Sequence, residues 1–320
     1  MIVSRRSLLK IGAASLTASK SFAETGYPQR QVKIVVGYPP GSTPDIMARS
    51  LAQSLSIRFG QSFLVEPRPG AGSNIATEFA LRAEPDGHTL LLCSGSNAWN
   101  SALYEKLPFD FVADAVAVAG VYRGPSVLVV HPSVPAGTLV EFISYARSKA
   151  GILNMASNGN GSVGHVYGSL FKNLTNIDMV HIPYKDNPLP DLIAGRTQVA
   201  FSPSGSAIEF VRAGQLRALG VTTANRWEGL PDVPAICEVV QGFEGTGWMG
   251  IAAPRRTPPE IVSALNKAIS VELNNPSVRR QIADLGGEPF STTVEEFGGF
   301  VVDFTHRWGA IIRAAGIKIG

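Results

Sequence analysis

Two glycine-rich turns of one physical kind stand far apart in the chain, Pro39-Pro40-Gly41-Ser42-Thr43-Pro44-Asp45 and Gly159-Asn160-Gly161-Ser162-Val163-Gly164-His165. Each follows a strand-like run, over 32–36 and 153–157, and opens a helix-like one. A helix that starts in such a turn presents unpaired backbone N–H groups and the positive end of its dipole. A single turn of this kind would suggest a phosphate or nucleotide site. Two of them, in separate strand–helix units, point to a cleft that grips a small anion from both sides.

Between and beyond the turns, apolar runs alternate with segments of helical period, the pattern of α/β layers with mainly parallel strands. The first unit reads as strand 32–36, helix 45–59, strand 63–66, helix 74–83 and strand 89–94. The β-branched run 126–130, closed by His131-Pro132, reads as a strand crossing to a second unit. There the pattern restarts with helix 139–150, strand 153–157, helix 165–174 and strands 179–182 and 198–201. A second crossing is placed at 248–252, before helices over 258–274, 276–285 and 294–315. The expected organisation is two lobes, 24–124 with 249–320 and 125–248, with the return crossing somewhere between about 222 and 250. Two crossings between two α/β lobes make a hinge.

The N-terminus carries Ser4-Arg5-Arg6-Ser7-Leu8-Leu9-Lys10, a modest apolar stretch over 11–18, and Lys20 before Ser21-Phe22-Ala23. Residues 1–23 therefore read as a twin-arginine-type secretory signal, too short to span a membrane. Its removal turns the formal net charge of +3 into about −1. The mature chain has no basic stripe with interleaved aromatics, so nucleic acid is not an expected partner. Cys93 and Cys237 are the only cysteines, and both are expected to be free and buried although an oxidising compartment would permit a disulfide.

Gly159, Gly161 and Gly164 satisfy the letter of a dinucleotide fingerprint, but Asp178 precedes the following strand, where a ribose-binding acid should stand at its far end. Ser162, His165 and Asp178 could compose a hydrolase triad, yet no G-x-S-x-G elbow carries the serine. His88, His131, His165 and His181 lack metal-ligand spacing. Neither cofactor nor metal is expected. An exported hydrolase stands as the alternative from another functional class.

A set of short blocks in one order resembles the tripartite tricarboxylate transporter substrate-binding proteins, the Bug family, over nearly the whole mature chain. They are Tyr27-Pro28-Gln29-Arg30, Pro39-Pro40-Gly41 with Asp45 and Ala48-Arg49, Arg68-Pro69-Gly70-Ala71-Gly72 with Asn74, and Pro85-Asp86-Gly87-His88-Thr89-Leu90. Further along stand the turn at 159–165, His181-Ile182-Pro183-Tyr184-Lys185, 216–222, Leu230-Pro231-Asp232-Val233-Pro234, and Trp248 with Ala253-Pro254 and Thr257-Pro258. The resemblance implies a periplasmic, two-lobe type II binding fold that closes on a small carboxylate (a dicarboxylate, tricarboxylate or aromatic acid) and serves membrane transporter subunits as a soluble monomer. An orphan receptor or sensor of the same fold is the alternative.

Carried over residue by residue, the resemblance places Tyr38, Pro40, Gly41 and Ser42 in the first lobe's binding turn, and Ser157, Gly159, Gly161, Ser162 and His165 in the second's. Asn74 either caps its helix or reaches the ligand, and Tyr184 and Lys185 stand at a strand end where a cleft wall is expected. Asp45 is expected to fix the first turn through backbone hydrogen bonds. The chain departs from the family pattern at Pro44, which removes one N–H donor, at Asp186, which follows the Tyr-Lys pair in place of a glycine, and at Ser202, where many members have an acid. The last two are expected to modulate the ligand if they face it.

Overall fold

The computed structural model describes residues 26–319, so the secretory signal read at 1–23 lies outside the described residues. The elements are β1 (Val32–Val36), α1 (Thr43–Phe59), β2 (Phe63–Pro67), a 3-10 turn (Ala71–Ser73), α2 (Asn74–Leu81), β3 (Thr89–Ser94), α3 (Gly95–Leu103) and α4 (Phe111–Asp114). The long strand β4 (Ala115–Val130) leads into α5 (Leu139–Ser148), β5 (Asn154–Ser157), α6 (Val163–Thr175), β6 (Val180–Pro183), α7 (Leu189–Ile193), β7 (Val199–Pro203), α8 (Ser204–Arg212) and β8 (Arg217–Val221). The chain then returns through β9 (Thr246–Pro254), α9 (Pro259–Leu273), α10 (Pro276–Asp284), β10 (Glu288–Pro289) and α11 (Val294–Ala314).

The strands follow the order β2-β1-β3-β9-β4-β7-β5-β6. Parallel pairing joins β1 to β2 and β3, and β5 to β6 and β7. The expectation of mainly parallel sheets is corrected to mixed sheets, because β4 and β9 run antiparallel to every strand they meet. A strand that carries the chain out of one half and another that brings it back must run against the parallel sets they join.

Strand β4 is longer than the crossing run read at 126–130. Its first part pairs with β9 as far as Pro125↔Thr246, and its last part pairs with β7 and β8 from Ser126 onward. Gly120 sits at one of the two register shifts in the pairing of β4 with β9, and Gly124-Pro125 lies where the strand changes sheet. Gly124 lies opposite Gly247, so the outgoing and returning segments cross side by side.

Central strand β1 shows why the halves hold. Val32, Ile34 and Val36 pack into the core beneath α1 and α9, while Val35 faces the core formed with α2 and α11. Both faces of the strand are covered, which accounts for an unbroken apolar run. In the second half Leu128, Val130, Met155 and Phe201 pack against Phe142, Val166, Tyr167 and Phe171. Trp99 of α3 and Trp308 of α11 enter that same core, with their rings 5.1 Å apart and Tyr167 5.2 Å from Trp308.

Cys93 is buried and donates its thiol to the Gly250 carbonyl at 3.3 Å, and burial pushes its pKa up to about 12. Cys237 is also free but only half-buried, which corrects the expectation of two buried thiols. No helix among the described residues is long and apolar enough to cross a membrane.

Candidate functional site

A cavity of about 340 Å³ opens where the first turns of α1, α6 and α8 face one another, floored by the crossing segments at Gly124-Pro125 and Gly247-Trp248. Among the described residues its wall contains hydroxyls, amides, glycines, prolines and apolar side chains, and no Asp, Glu, Lys, Arg or His. The polarity available to a ligand comes from hydroxyls, from Asn158 and Asn187, and from helix N-termini. Each terminus is equivalent to roughly half a positive charge.

The first glycine turn is built from its own sequence. Ser42 is the extended N-cap of α1, and its hydroxyl donates to the Pro39 carbonyl at 2.7 Å. Buried Asp45 accepts the Gly41 N–H at 2.9 Å and is held from outside by Arg49 at 2.9 and 3.0 Å. The carboxylate therefore fixes the loop, as read from sequence, and it does not stand on the cavity wall. Tyr38, Pro40, Gly41 and Ser42 all do, and the Tyr38 hydroxyl is tied to Ser94 and Ser96 at 3.1 and 2.8 Å.

In the second turn the structure separates lining from support. Ser162, the N-cap of α6, lines the cavity with Val163 and Gly164. Ser157, Gly159, Gly161 and His165 stand behind that wall. Gly161, at φ +78°, donates its N–H to His165 Nδ1 at 3.1 Å and accepts from Trp99 Nε1 at 2.9 Å. Its N–H is thus already used within the protein. The Ser157 hydroxyl meets His181 Nε2 at 2.7 Å and accepts the Gly159 N–H at 3.2 Å. Neither member of that serine–imidazole pair reaches the cavity, and neither does the pair His131 Nδ1 and Ser133 Oγ, also 2.7 Å apart.

The imidazoles of His165 and His181 stack at 4.3 Å. Burial pushes His165 down to about 4, with the Lys172 charge adding to it, and His181 falls to about 4 through burial and then through His165 and Lys172. Both are neutral at pH 7, which His165 Nδ1 requires to accept the Gly161 N–H. A histidine held neutral below its unfolded value near 6.5 contributes stability that is complete above that pH and is lost as pH falls toward 4. The melting temperature should therefore drop between pH 7 and pH 5, and drop less in His165→Gln, whose amide oxygen can accept from Gly161 without titrating. Parallel melting curves for the two proteins across that range would contradict this.

The remaining sequence-predicted positions fall outside the wall. Asn74 is buried behind the turn at 70–73, where its Oδ1 accepts from Asn100 at 2.7 Å. Tyr184 donates to Asp191 at 2.8 Å, and Asp191 pairs with Arg196 at 2.7 Å. Lys185 and Asp186 are exposed, although Asn187 beside them lines the cavity. The strand-end argument singled out Tyr184 and Lys185, whereas the residue of this loop on the cavity wall is Asn187. Ser202 does line the cavity.

Sequence reasoning missed the third helix N-terminus. Pro203-Ser204-Gly205-Ser206, given no element from sequence, starts α8 and lines the cavity through Pro203, Gly205 and Ser206. Tyr122, Ser126 and Trp248 were also missed, because hinge strands look like core in one dimension. The signal for α8 was a Pro-Ser-Gly-Ser start followed by Ile208 and Val211 at helical spacing. This terminus also closes the rim: Thr43 Oγ1 and Ser206 Oγ are 2.8 Å apart, and Ser204 Oγ donates to the Gly286 carbonyl at 3.1 Å.

Two α/β halves joined by paired crossing strands, with an uncharged, helix-capped cavity between them, define a solute-binding receptor. The family model "Tripartite tricarboxylate transporter family receptor" matches residues 47–317. Protein BugT of Bordetella pertussis is 33% identical over 314 residues, covering 97% of this chain and 96% of that protein. The chain belongs to this receptor family. Among solved structures, Rpa4515 of R. palustris with adipate matches at 34% identity and TM-score 0.87, covering 92% of this chain and all of that one. MatC of Rhodopseudomonas palustris with bound malate matches at 30% and 0.85, covering 89% of this chain and 100% of that one. The periplasmic binding protein BugD matches at 27% and 0.87, covering 92% and 100%.

Proposed function

We propose that the protein captures one small organic carboxylate between two lobes in the periplasm and presents the closed form to membrane transporter subunits. The observation that carries this reading is the uncharged cavity faced by the N-termini of three helices. An anion held by backbone N–H groups and hydroxyls meets no fixed countercharge, which suits a protein that must also release its cargo. The adipate and malate found in two relatives are small acids of the kind such a wall accepts.

In this reading Tyr38, Ser42 and Ser162 bind the carboxylate, Pro40 and Gly41 shape the first turn, and Ser157, Gly159, Gly161 and His165 hold the second turn in place. The lobes divide, in this reading, at Gly124-Pro125 and at Thr246-Gly247, where the two crossing strands lie side by side. Closure about these adjacent segments brings Thr43 to Ser206. No catalytic group is assigned, and the receptor acts as a monomer without cofactor.

A thermal-shift panel of C4 to C8 mono- and dicarboxylates, citrate, aromatic acids, amino acids and sugars tests the reading. Ligand that binds only the folded, closed form stabilises by roughly 2.7 kcal/mol at a hundredfold excess over Kd, so at least one organic acid should raise the melting temperature. Shifts confined to sugars or cations would overturn it.

A further inference from the structure

A second cavity, of about 250 Å³, lies in the first half and shares no lining residue with the one between the lobes. Its floor is a patch of small residues on the sheet: Cys93 of β3, Ala252 of β9, and Ala115 and Ala117 of β4, with Ala117 directly opposite Ala252. Phe111 and Val112 of α4 form one wall, and Phe297, Gly298, Val301 and Val302 of α11 form the other. Elsewhere in this core the space is filled, as where Trp248 packs edge-on against Phe297, Phe300 and Phe304 with ring centres 5.8, 5.3 and 5.4 Å apart. Here small side chains face a helix glycine, and a Cβ built on Gly298 would meet no atom within 4 Å. Room of this size is the exception in a protein interior.

We propose that this cavity is a second ligand site, one that takes a medium-chain fatty acid with its chain inside and its carboxylate at Arg255. Among the described residues Arg255 is the only charged group of the lining, it is exposed, and its guanidinium makes neither an ion pair nor a hydrogen bond. Its backbone N–H donates to the Asp114 carbonyl at 2.8 Å, but the Asp114 carboxylate is turned to the Asp110 N–H, also at 2.8 Å, and leaves the guanidinium unpaired. The other polar group of the lining, the Cys93 thiol, is already spent on the Gly250 carbonyl. An occupant therefore meets apolar walls along its length and one cation at its end, which selects a single negative charge.

Magnitudes divide the work between chain and charge. An apolar cavity of about 150 Å³ already takes up benzene and stays dry otherwise, so this larger one has room for a chain of about six to eight carbons. Each CH₂ that leaves water raises affinity about fourfold. The exposed pair with Arg255 is worth less, about three- to tenfold in all. The chain supplies the affinity, and Arg255 supplies the preference for an anion.

The test is NMR of the valine methyls during titration with hexanoate, octanoate, octanol and octylamine. Val112, Val301 and Val302 line this cavity while Val163 lines the one between the lobes, so the two sites report separately. Octanoate should shift the first three saturably and bind about tenfold more tightly than hexanoate. Octanol should bind about three- to tenfold more weakly than octanoate, and octylamine more weakly still. Arg255→Gln should bring octanoate down to the affinity of octanol. Gly298→Leu, which fills the cavity, should remove the shifts at Val112, Val301 and Val302, raise the melting temperature, and leave the response of Val163 as in wild type. No saturable response at those three valines, or one that survives Gly298→Leu, would overturn the site. Equal affinity for octanoate and octanol would overturn its assignment to an anion. Either result leaves the reading of the interlobe cavity standing.

Discussion

Gly205→Val is expected to abolish ligand binding and leave both cores folded. A Cβ at this position would lie 2.7 Å from Leu285 Cα and 2.8 Å from its carbonyl carbon, so it would collide with backbone that no rotamer change can clear. Leu285 packs in the core beneath α1 and α9, while Gly205 belongs to α8 in the other half. The added side chain would therefore wedge the rim open where Thr43 meets Ser206 and Ser204 meets Gly286. Overpacking of this kind costs about 1–3 kcal/mol. Hinged halves can escape that cost by staying apart, so it would fall on closure and not on folding. Calorimetry should show at least a hundredfold loss of affinity, and solution scattering a larger radius of gyration that added ligand does not reduce. Wild-type affinity would show that the contact between Gly205 and Leu285 plays no part in closure.

Gly161→Val should both destabilise the protein and remove binding, by a route that differs from blocking the cavity. Gly161 holds φ +78°, and a Cβ there would sit 2.9 Å from Asn100 Oδ1. A β-branched residue resists that backbone region, at a cost of about 1–3 kcal/mol. The same change would strain the bonds from Gly161 to His165 Nδ1 and from Trp99 Nε1. Ser162 and the first turn of α6 would then lose their position on the cavity wall. Urea unfolding should register a stability loss of roughly 2–6 kcal/mol, the strain plus the clash, and calorimetry should register no binding. A variant with wild-type stability and affinity would refute the supporting role given to this turn.

The parts of the site legible in sequence were those whose chemistry is local. A glycine turn between a strand and a helix announces an N-terminus by its own residues, so both turns and the anchoring role of Asp45 could be read directly, while the N-cap positions of Ser42 and Ser162 come from the structure. What could not be read depends on contacts between distant segments. Gly161 faces Trp99, and Gly72 packs against the Asn160 carbonyl at 2.8 Å from its would-be Cβ, so the most glycine-rich part of the second turn serves packing between halves and not the ligand. The start of α8 was hidden because Ser, Gly and Pro lower helix propensity whether they cap a helix or form a loop. Strand β4 was cut short because Gly124-Pro125 reads as an end, when it is the place where one strand leaves its first sheet for the second. Lys185 was expected near the wall from its place after a strand and Asp186 beside it was left open, but the loop turns both to solvent while Asn187 lines the cavity.

The central claim is that a negative charge on the ligand is recognised by an uncharged wall of helix termini and hydroxyls. The most direct measurement is calorimetric titration at pH 7.5 with an organic acid found to bind and with its primary amide, which keeps the size and shape and removes the charge. The account predicts one-to-one binding of the acid and at least a hundredfold weaker binding of the amide, because helix dipoles and N–H donors stabilise a carboxylate far more than a neutral carbonyl. An amide that binds as tightly as the acid would contradict it.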